Sequence, residues 1–178
     1  MATRGGSLTM QSFKNESDIS HVFSIESCIR GKFNYNEWHS WEVKELKGLF
    51  GIPDHFAIFW KKDILGRLIQ RTFSFEMKKS NWKRALVQAY RYASFSEYSF
   101  VVLDHYYIHR ALAYRNEFKN ANIGLISIRV DGKVFWHIRP RYRKPYSKHM
   151  WQLLREGLTP HLFGDDKIEP NKRLQWSY

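Results

Sequence analysis

At 178 residues the chain has the length of one domain, and 43% hydrophobic with 17% aromatic residues is the composition of a packed core rather than of a disordered segment. Its 29 Lys and Arg outnumber 17 Asp and Glu for a formal charge of +12, which points to an anionic partner, with nucleic acid the commonest for such a domain. No run approaches the ~20 apolar residues of a membrane helix, the start lacks a secretory signal's apolar segment, and the lone Cys28 excludes an internal disulfide, so an intracellular, reducing location is expected.

Residues 1–16 read as a loose leader, with Met10 as an alternative start. Ser17 is placed to cap a helix over residues 17–30, with Ile19, Val22, Phe23 and Ile29 inward and Gly31 as its stop. Residues 33–38 form an aromatic loop, and residues 41–46 alternate like a first strand. A hairpin follows. It runs through apolar residues 56–60, turns near residues 63–66 and returns over residues 71–78. On the returning strand Phe73, Phe75 and Met77 point one way and Ser74, Glu76 and Lys78 the other. Both strands are apolar on both faces, as central strands are.

Ser80 then caps a helix over residues 81–94 that buries Trp82, Ala85, Leu86, Ala89 and Ala93, with Arg84, Gln88 and Tyr92 as an i, i+4 stripe beside them. Residues 98–103 read as a buried strand and residues 105–118 as a helix. Asp131-Gly132 between residues 123–130 and 133–139 is a two-residue hairpin signal. A basic, Pro-broken stretch, residues 139–146, precedes a short helix over residues 147–156 ended by Gly157, and residues 159–178 form a polar tail. No repeat or linker divides residues 17–158, which read as a single domain. The order of elements gives an α/β sandwich with a mixed central sheet.

The chemistry concentrates at the end of the hairpin. Glu76 and Lys78, two residues apart, share a face of an apolar strand. If Asp54, at the start of the partner strand, reaches the same end, two carboxylates and a lysine converge. Such a set suits a divalent cation held by hard oxygen ligands, with the lysine beside an attacking water or a transition-state phosphate. A solvated cross-strand pair is the plainer account, but the strand around it is too apolar for an exposed edge. His105 and His109 share a helix face as zinc pairs do, yet no third ligand stands near in sequence, so a structural or surface pair is expected. Arg139, Arg141, Arg143 and Lys144 interleave with Tyr142 and Tyr146, a composition for gripping phosphates and stacking on bases, or for a solvated loop.

Pro53-Asp54 followed by Glu76-Met77-Lys78 resembles the PD-(D/E)xK signature of the restriction-endonuclease-like nuclease superfamily. Gln88-Ala89-Tyr90-Arg91-Tyr92 resembles the Gln-x-x-x-Tyr element of its RecB-like members. The resemblance covers roughly residues 41–103; each motif is short, and their order on strand, strand and helix carries the specificity. It implies a three-layer α/β sandwich with a mixed central sheet flanked by helices, and a metal-dependent endo- or exonuclease acting on DNA. Asp54, Glu76 and the Met77 carbonyl would ligate Mg²⁺ or Mn²⁺, and Lys78 would orient or help deprotonate the water. Gln88 would hold the site or the nucleic-acid backbone, with Tyr92 behind it and Lys79 and Arg84 as further nucleic-acid contacts. Glu26 or Glu45 would be the accessory acid. A non-catalytic nucleic-acid-binding module, or a nuclease subunit of a larger restriction or repair assembly, is the alternative, and a homodimer is compatible with either.

Overall fold

The computed structural model describes residues 11–47 and 49–163, with side chains to residue 158. Six strands make one sheet in sequential order: β1 (His39–Lys44), β2 (His55–Lys62), β3 (Leu68–Lys78), β4 (Tyr98–Asp104), β5 (Gly124–Ile128) and β6 (Val134–Ile138). The first three are antiparallel, β3, β4 and β5 run parallel, and β6 returns antiparallel to β5. Local chemistry accounts for the connections. Between β2 and β3 the Asp63 carboxylate accepts the N–H groups of Leu65 and Arg67, and Gly66 takes φ +73°. Between β5 and β6, Gly132 supplies φ +82° in the tight turn that its Asp131-Gly132 pair foreshadows. The parallel step from β3 to β4 needs a crossover helix, which is α3 (Trp82–Tyr92).

Alternation along the strands sorts the core into two faces. Phe73, Phe75 and Met77 pack with Ile19 of α1 (Glu16–Val22) and with Ile25 and Ile29 of α2 (Ile25–Phe33). On the other face Val101, Leu103 and Leu125 receive Ala85 and Ala89 of α3, Ala111 of α4 (Ile108–Leu112) and Phe118 of α5 (Arg115–Ala121). Phe56 and Ile58 of β2 meet Tyr92, Phe95 and two leucines of α6 (Lys148–Phe163), Leu154 and Leu158. All seven residues of β4 are buried, as befits the strand with parallel neighbours on both sides. The molecule is thus α/β, with a six-stranded mixed sheet and helices on both faces.

Several boundaries differ from the expectations. The first helix is two: α1 opens after Asn15, whose N–H is accepted by the Asp18 carboxylate at 2.9 Å, and extended Phe23 and Ser24 separate it from α2. Gly31 does not stop α2, which ends at Asn34 in the left-handed conformation at φ 58°. The leader is shorter than residues 1–16. Phe13 is 5% exposed in the core, and both its N–H and the Ser12 hydroxyl bond the buried Asp104 carboxylate. Asn81, not Ser80, caps α3, accepting the Arg84 N–H at 3.2 Å. Residues 105–118 are not one helix but a 3-10 turn, α4 and α5. Ser147 does cap α6, but the helix continues through Gly157 to Phe163. The ~1 kcal/mol penalty of a helical glycine is offset there by Leu154 and Leu158, which are buried against the sheet. The rest of the tail, residues 164–178, lies outside the described residues, as do residues 1–10 of the leader.

Candidate functional site

The β2–β3 register places His55 opposite Phe75, so Asp54, one residue earlier, comes beside Met77. Its Oδ2 accepts the Met77 N–H at 2.6 Å. Glu76, 1% exposed, turns toward α3; its Oε2 accepts the Tyr92 hydroxyl at 2.6 Å and its Oε1 lies 2.7 Å from Lys78 Nζ. That ammonium also donates to the Met77 carbonyl at 2.9 Å and stands 3.4 Å from Glu16 Oε2. One positive charge is therefore ringed by three oxygens at the end of β3. Tyr92 bonds the Ile52 carbonyl at 2.9 Å as well, tying the segment before Asp54 to α3. Gly51, at φ +97°, lets this happen, since a Cβ there would lie 2.7 Å from the Tyr92 ring. Gln88, one turn earlier on α3, reaches the Tyr92 hydroxyl, and its amide oxygen is buried without a partner.

Burial dominates the electrostatics. It raises the Asp54 carboxyl above its usual range, against the lowering effect of the Met77 N–H and of Lys78. It raises Glu76 too, with the neighbouring Asp54 charge adding to it. For Lys78 burial opposes the charged form, but the hydrogen bond and charge of Glu76 and the charges of Asp54 and Glu16 outweigh it, so its pKa stands above the ordinary value. Behind Asp54, His55 is 3% exposed, bonded to Ser20 Oγ at 2.7 Å, and pushed down to about 4 by burial and by Lys44, which keeps it neutral. The cluster of Asp54, Glu76, Glu16 and Lys78 carries an excess of negative charge that added positive charge would relieve.

Asp54, Glu76, Met77, Lys78 and Gln88 thus come together as the spacing suggests. Lys79 stays close, its N–H 3.4 Å from Glu16 Oε1 and its Nζ bonded to the Lys14 carbonyl. Arg84 is exposed on the first turn of α3. Tyr92 is 1% exposed with its hydroxyl committed to Glu76 and Ile52, so it holds the site and offers no face to a nucleic acid. Of the two accessory acids considered, Glu26 is bound to Arg30 at 2.7 Å and takes no part in the cluster. Glu45, at φ 52°, bonds the Asp54 carbonyl through its N–H and lines a cleft of about 470 Å³ with Glu16, Asp54 and Met77. Sequence reasoning missed Glu16. The only signal was an acid at the N-terminal end of an amphipathic stretch, a place such residues take to suit the helix dipole.

The basic segment is elsewhere. Because β6 runs antiparallel to β5, the chain leaving Ile138 departs from the end of the sheet opposite Lys78. Arg139 lies over the Phe33 ring at 4.4 Å, and Tyr142 takes Arg71 over its own ring at 4.7 Å. Arg71 is seven residues before Lys78 on β3, about 23 Å at ~3.3 Å per residue. Arg139, Arg141, Arg143 and Lys144 therefore do not converge with the carboxylates. The histidine pair also separates: His105 Nδ1 bonds Ser127 Oγ at 2.7 Å, and His137, not His109, completes that contact at 2.7 Å.

Among the described residues no group of three His, Cys, Asp or Glu side chains is arranged to hold a metal ion. A mixed set still fits one. Asp54 keeps Oδ1 unengaged by Met77, Glu76 Oε1 and the Met77 carbonyl already hold a cation in the form of Lys78 Nζ, and all are hard oxygen donors suited to Mg²⁺ or Mn²⁺. No family model, curated protein or solved structure matches this chain. The case for function accordingly rests on this geometry. No helix among the described residues is long and apolar enough to cross a membrane.

Proposed function

We propose that the protein is a metal-dependent nuclease of restriction-endonuclease-like fold that hydrolyses phosphodiester bonds in DNA. One observation carries this reading: Asp54, Glu76, the Met77 carbonyl and Lys78 meet at the open end of two central strands, in a protein of charge +12. Asp54, Glu76 and the Met77 carbonyl would hold Mg²⁺ or Mn²⁺, which would lower the pKa of a bound water and screen the phosphate charge. Tyr92 keeps Glu76 aimed at the site through its 2.6 Å hydrogen bond. Lys78, released from Glu76, directs its N–H groups to the water or to a phosphate oxygen, where negative charge develops as the P–O bond breaks. Glu16 beside Lys78 is the accessory acid best placed to accept the water's proton.

The test is incubation with linear, circular, single-stranded and branched DNA in Mg²⁺, then in excess EDTA. Cleavage is expected with metal and lost without it. Asp54→Asn and Glu76→Gln should abolish it in a folded protein, and Lys78→Ala should slow it by about 10²-fold or more. Full activity in EDTA, or in Glu76→Gln, would overturn the mechanism.

A further inference from the structure

The basic segment borders a groove of about 690 Å³ between α5 and the strand end of β6, remote from the carboxylates. Lys119, Arg139, Arg141 and Arg143 all line it. Among the described residues none of the four makes an ion pair, although Arg30, Arg67, Arg71, Lys78 and Arg129 each have an acid. Nor is the segment a loose solvated loop. Asn122 clasps the Arg141 backbone from both sides, accepting its N–H at 2.8 Å and donating to its carbonyl at 2.9 Å. Phe33 and Arg71 hold Arg139 and Tyr142, and the Tyr146 and Ser147 N–H groups bond the carbonyls of Ala93 and Ser94 beyond α3. Four like charges are thus fixed around one concavity with no acid among them, an arrangement that costs energy until an anion binds.

We infer that this groove binds a stretch of single-stranded nucleic acid, its phosphates on Lys119, Arg139, Arg141 and Arg143 and a base against Tyr142. The volume suits a strand rather than a whole duplex. Tyr142 lines the same groove and stays 47% exposed although Arg71 covers one face, which leaves area for a base to stack on. The inference rests on the nuclease reading for the strand's role as a flank of the substrate, not for its binding. From the groove to Lys78 is about 23 Å, some seven nucleotides at ~3.4 Å each in a stacked strand.

The experiment is fluorescence anisotropy with labelled dT12 in EDTA, from 50 to 200 mM salt, for the wild type and for K119Q/R141Q/R143Q. Arg139 is left in place because it packs on Phe33. Three lost contacts at a slope of ~0.7 each mean that this rise in salt weakens the wild type about 20-fold more than the variant. Should the triple variant not fold, K119E, at an exposed position of α5, carries the same test. Equal salt slopes would overturn the inference. So would equal competition by inorganic polyphosphate of matched length, which has no base to stack, or tighter binding of a 12-base-pair duplex through the same residues. A wild type that binds dT12 through the groove yet cuts no DNA in Mg²⁺ would sink the nuclease reading and leave the groove standing. Cleavage that persists while the triple variant binds dT12 normally would do the reverse.

Discussion

At the scale of single residues, Glu76 depends on Tyr92. Tyr92→Phe leaves Glu76 Oε2 and the Ile52 carbonyl without their shared donor, which should cost about 1–3 kcal/mol of stability. It should also raise the Mg²⁺ concentration needed for half-maximal cleavage; melting curves and a metal titration check both. Gln88 behaves differently. Its buried amide oxygen has no partner, so truncation removes an unsatisfied group as well as a contact. Gln88→Ala should therefore melt within about 1 kcal/mol of the wild type while single-turnover cleavage slows. An early-melting variant that cuts normally would make Gln88 purely structural. Cys28 illustrates the opposite case, a polar group with no chemistry to do. Burial pushes its thiol up to about 12, and it is 3% exposed in the core. Thiol-specific reagents at neutral pH should leave it unmodified in the folded protein and react fully once denaturant is added.

Among elements, the N-terminal strap and the segment before β2 matter most. Residues 11–15 are irregular, but Phe13 fills the cluster of Phe73, Phe75 and Ile19. Phe13→Ala should cost about 3–5 kcal/mol, read by denaturant unfolding, a large part of a typical 5–15 kcal/mol total. A loose leader would show no change. Gly51 and Gly66 form a matched pair for a second test. Both have positive φ, so alanine at either should cost about 1–2 kcal/mol. Only at Gly51 does the new Cβ meet the Tyr92 ring, whereas Gly66 faces open space. Gly51→Ala should therefore lose cleavage along with stability, and Gly66→Ala stability alone.

Across the whole molecule, the two ends of the sheet carry opposite electrostatics. The carboxyl end of β3 gathers acids around one lysine, and the far end gathers unpaired arginines over a single buried acid, Glu97. That carboxylate is 6% exposed, accepts the Thr72 N–H at 2.9 Å and has Arg71 at 3.7 Å. Burial nevertheless raises its pKa, against the lowering effect of Thr72 and Arg71. With the folded value above the unfolded one, the native state keeps a proton that the unfolded chain releases. Stability is then full below the unfolded pKa of ~4.3 and declines as pH rises toward the folded value. Glu97→Gln removes that dependence. Its melting temperature relative to the wild type should accordingly rise between pH 4 and pH 7, and a constant difference would rule out Glu97 as a source of pH sensitivity.

The amino-acid sequence by itself determined what depends on neighbours along the chain. The two-residue strand repeat put Glu76 and Lys78 on one face and Phe73, Phe75 and Met77 on the other. A short turn brought Asp54 back beside Met77, and the helix that follows β3 after three residues kept Gln88 and Tyr92 within reach of it. Only the tertiary structure decided what joins distant segments. Glu16 meets Lys79 across 63 residues and Ser12 meets Asp104 across 92, and no local periodicity encodes such contacts. The helix break at Phe23 and Ser24 arises the same way, because two inward faces must both follow a twisted sheet that a single straight helix would leave. Strand direction settled the remaining point. A basic segment and an acidic cluster can suit the same ligand in composition, but the antiparallel return of β6 puts them at opposite ends of the sheet.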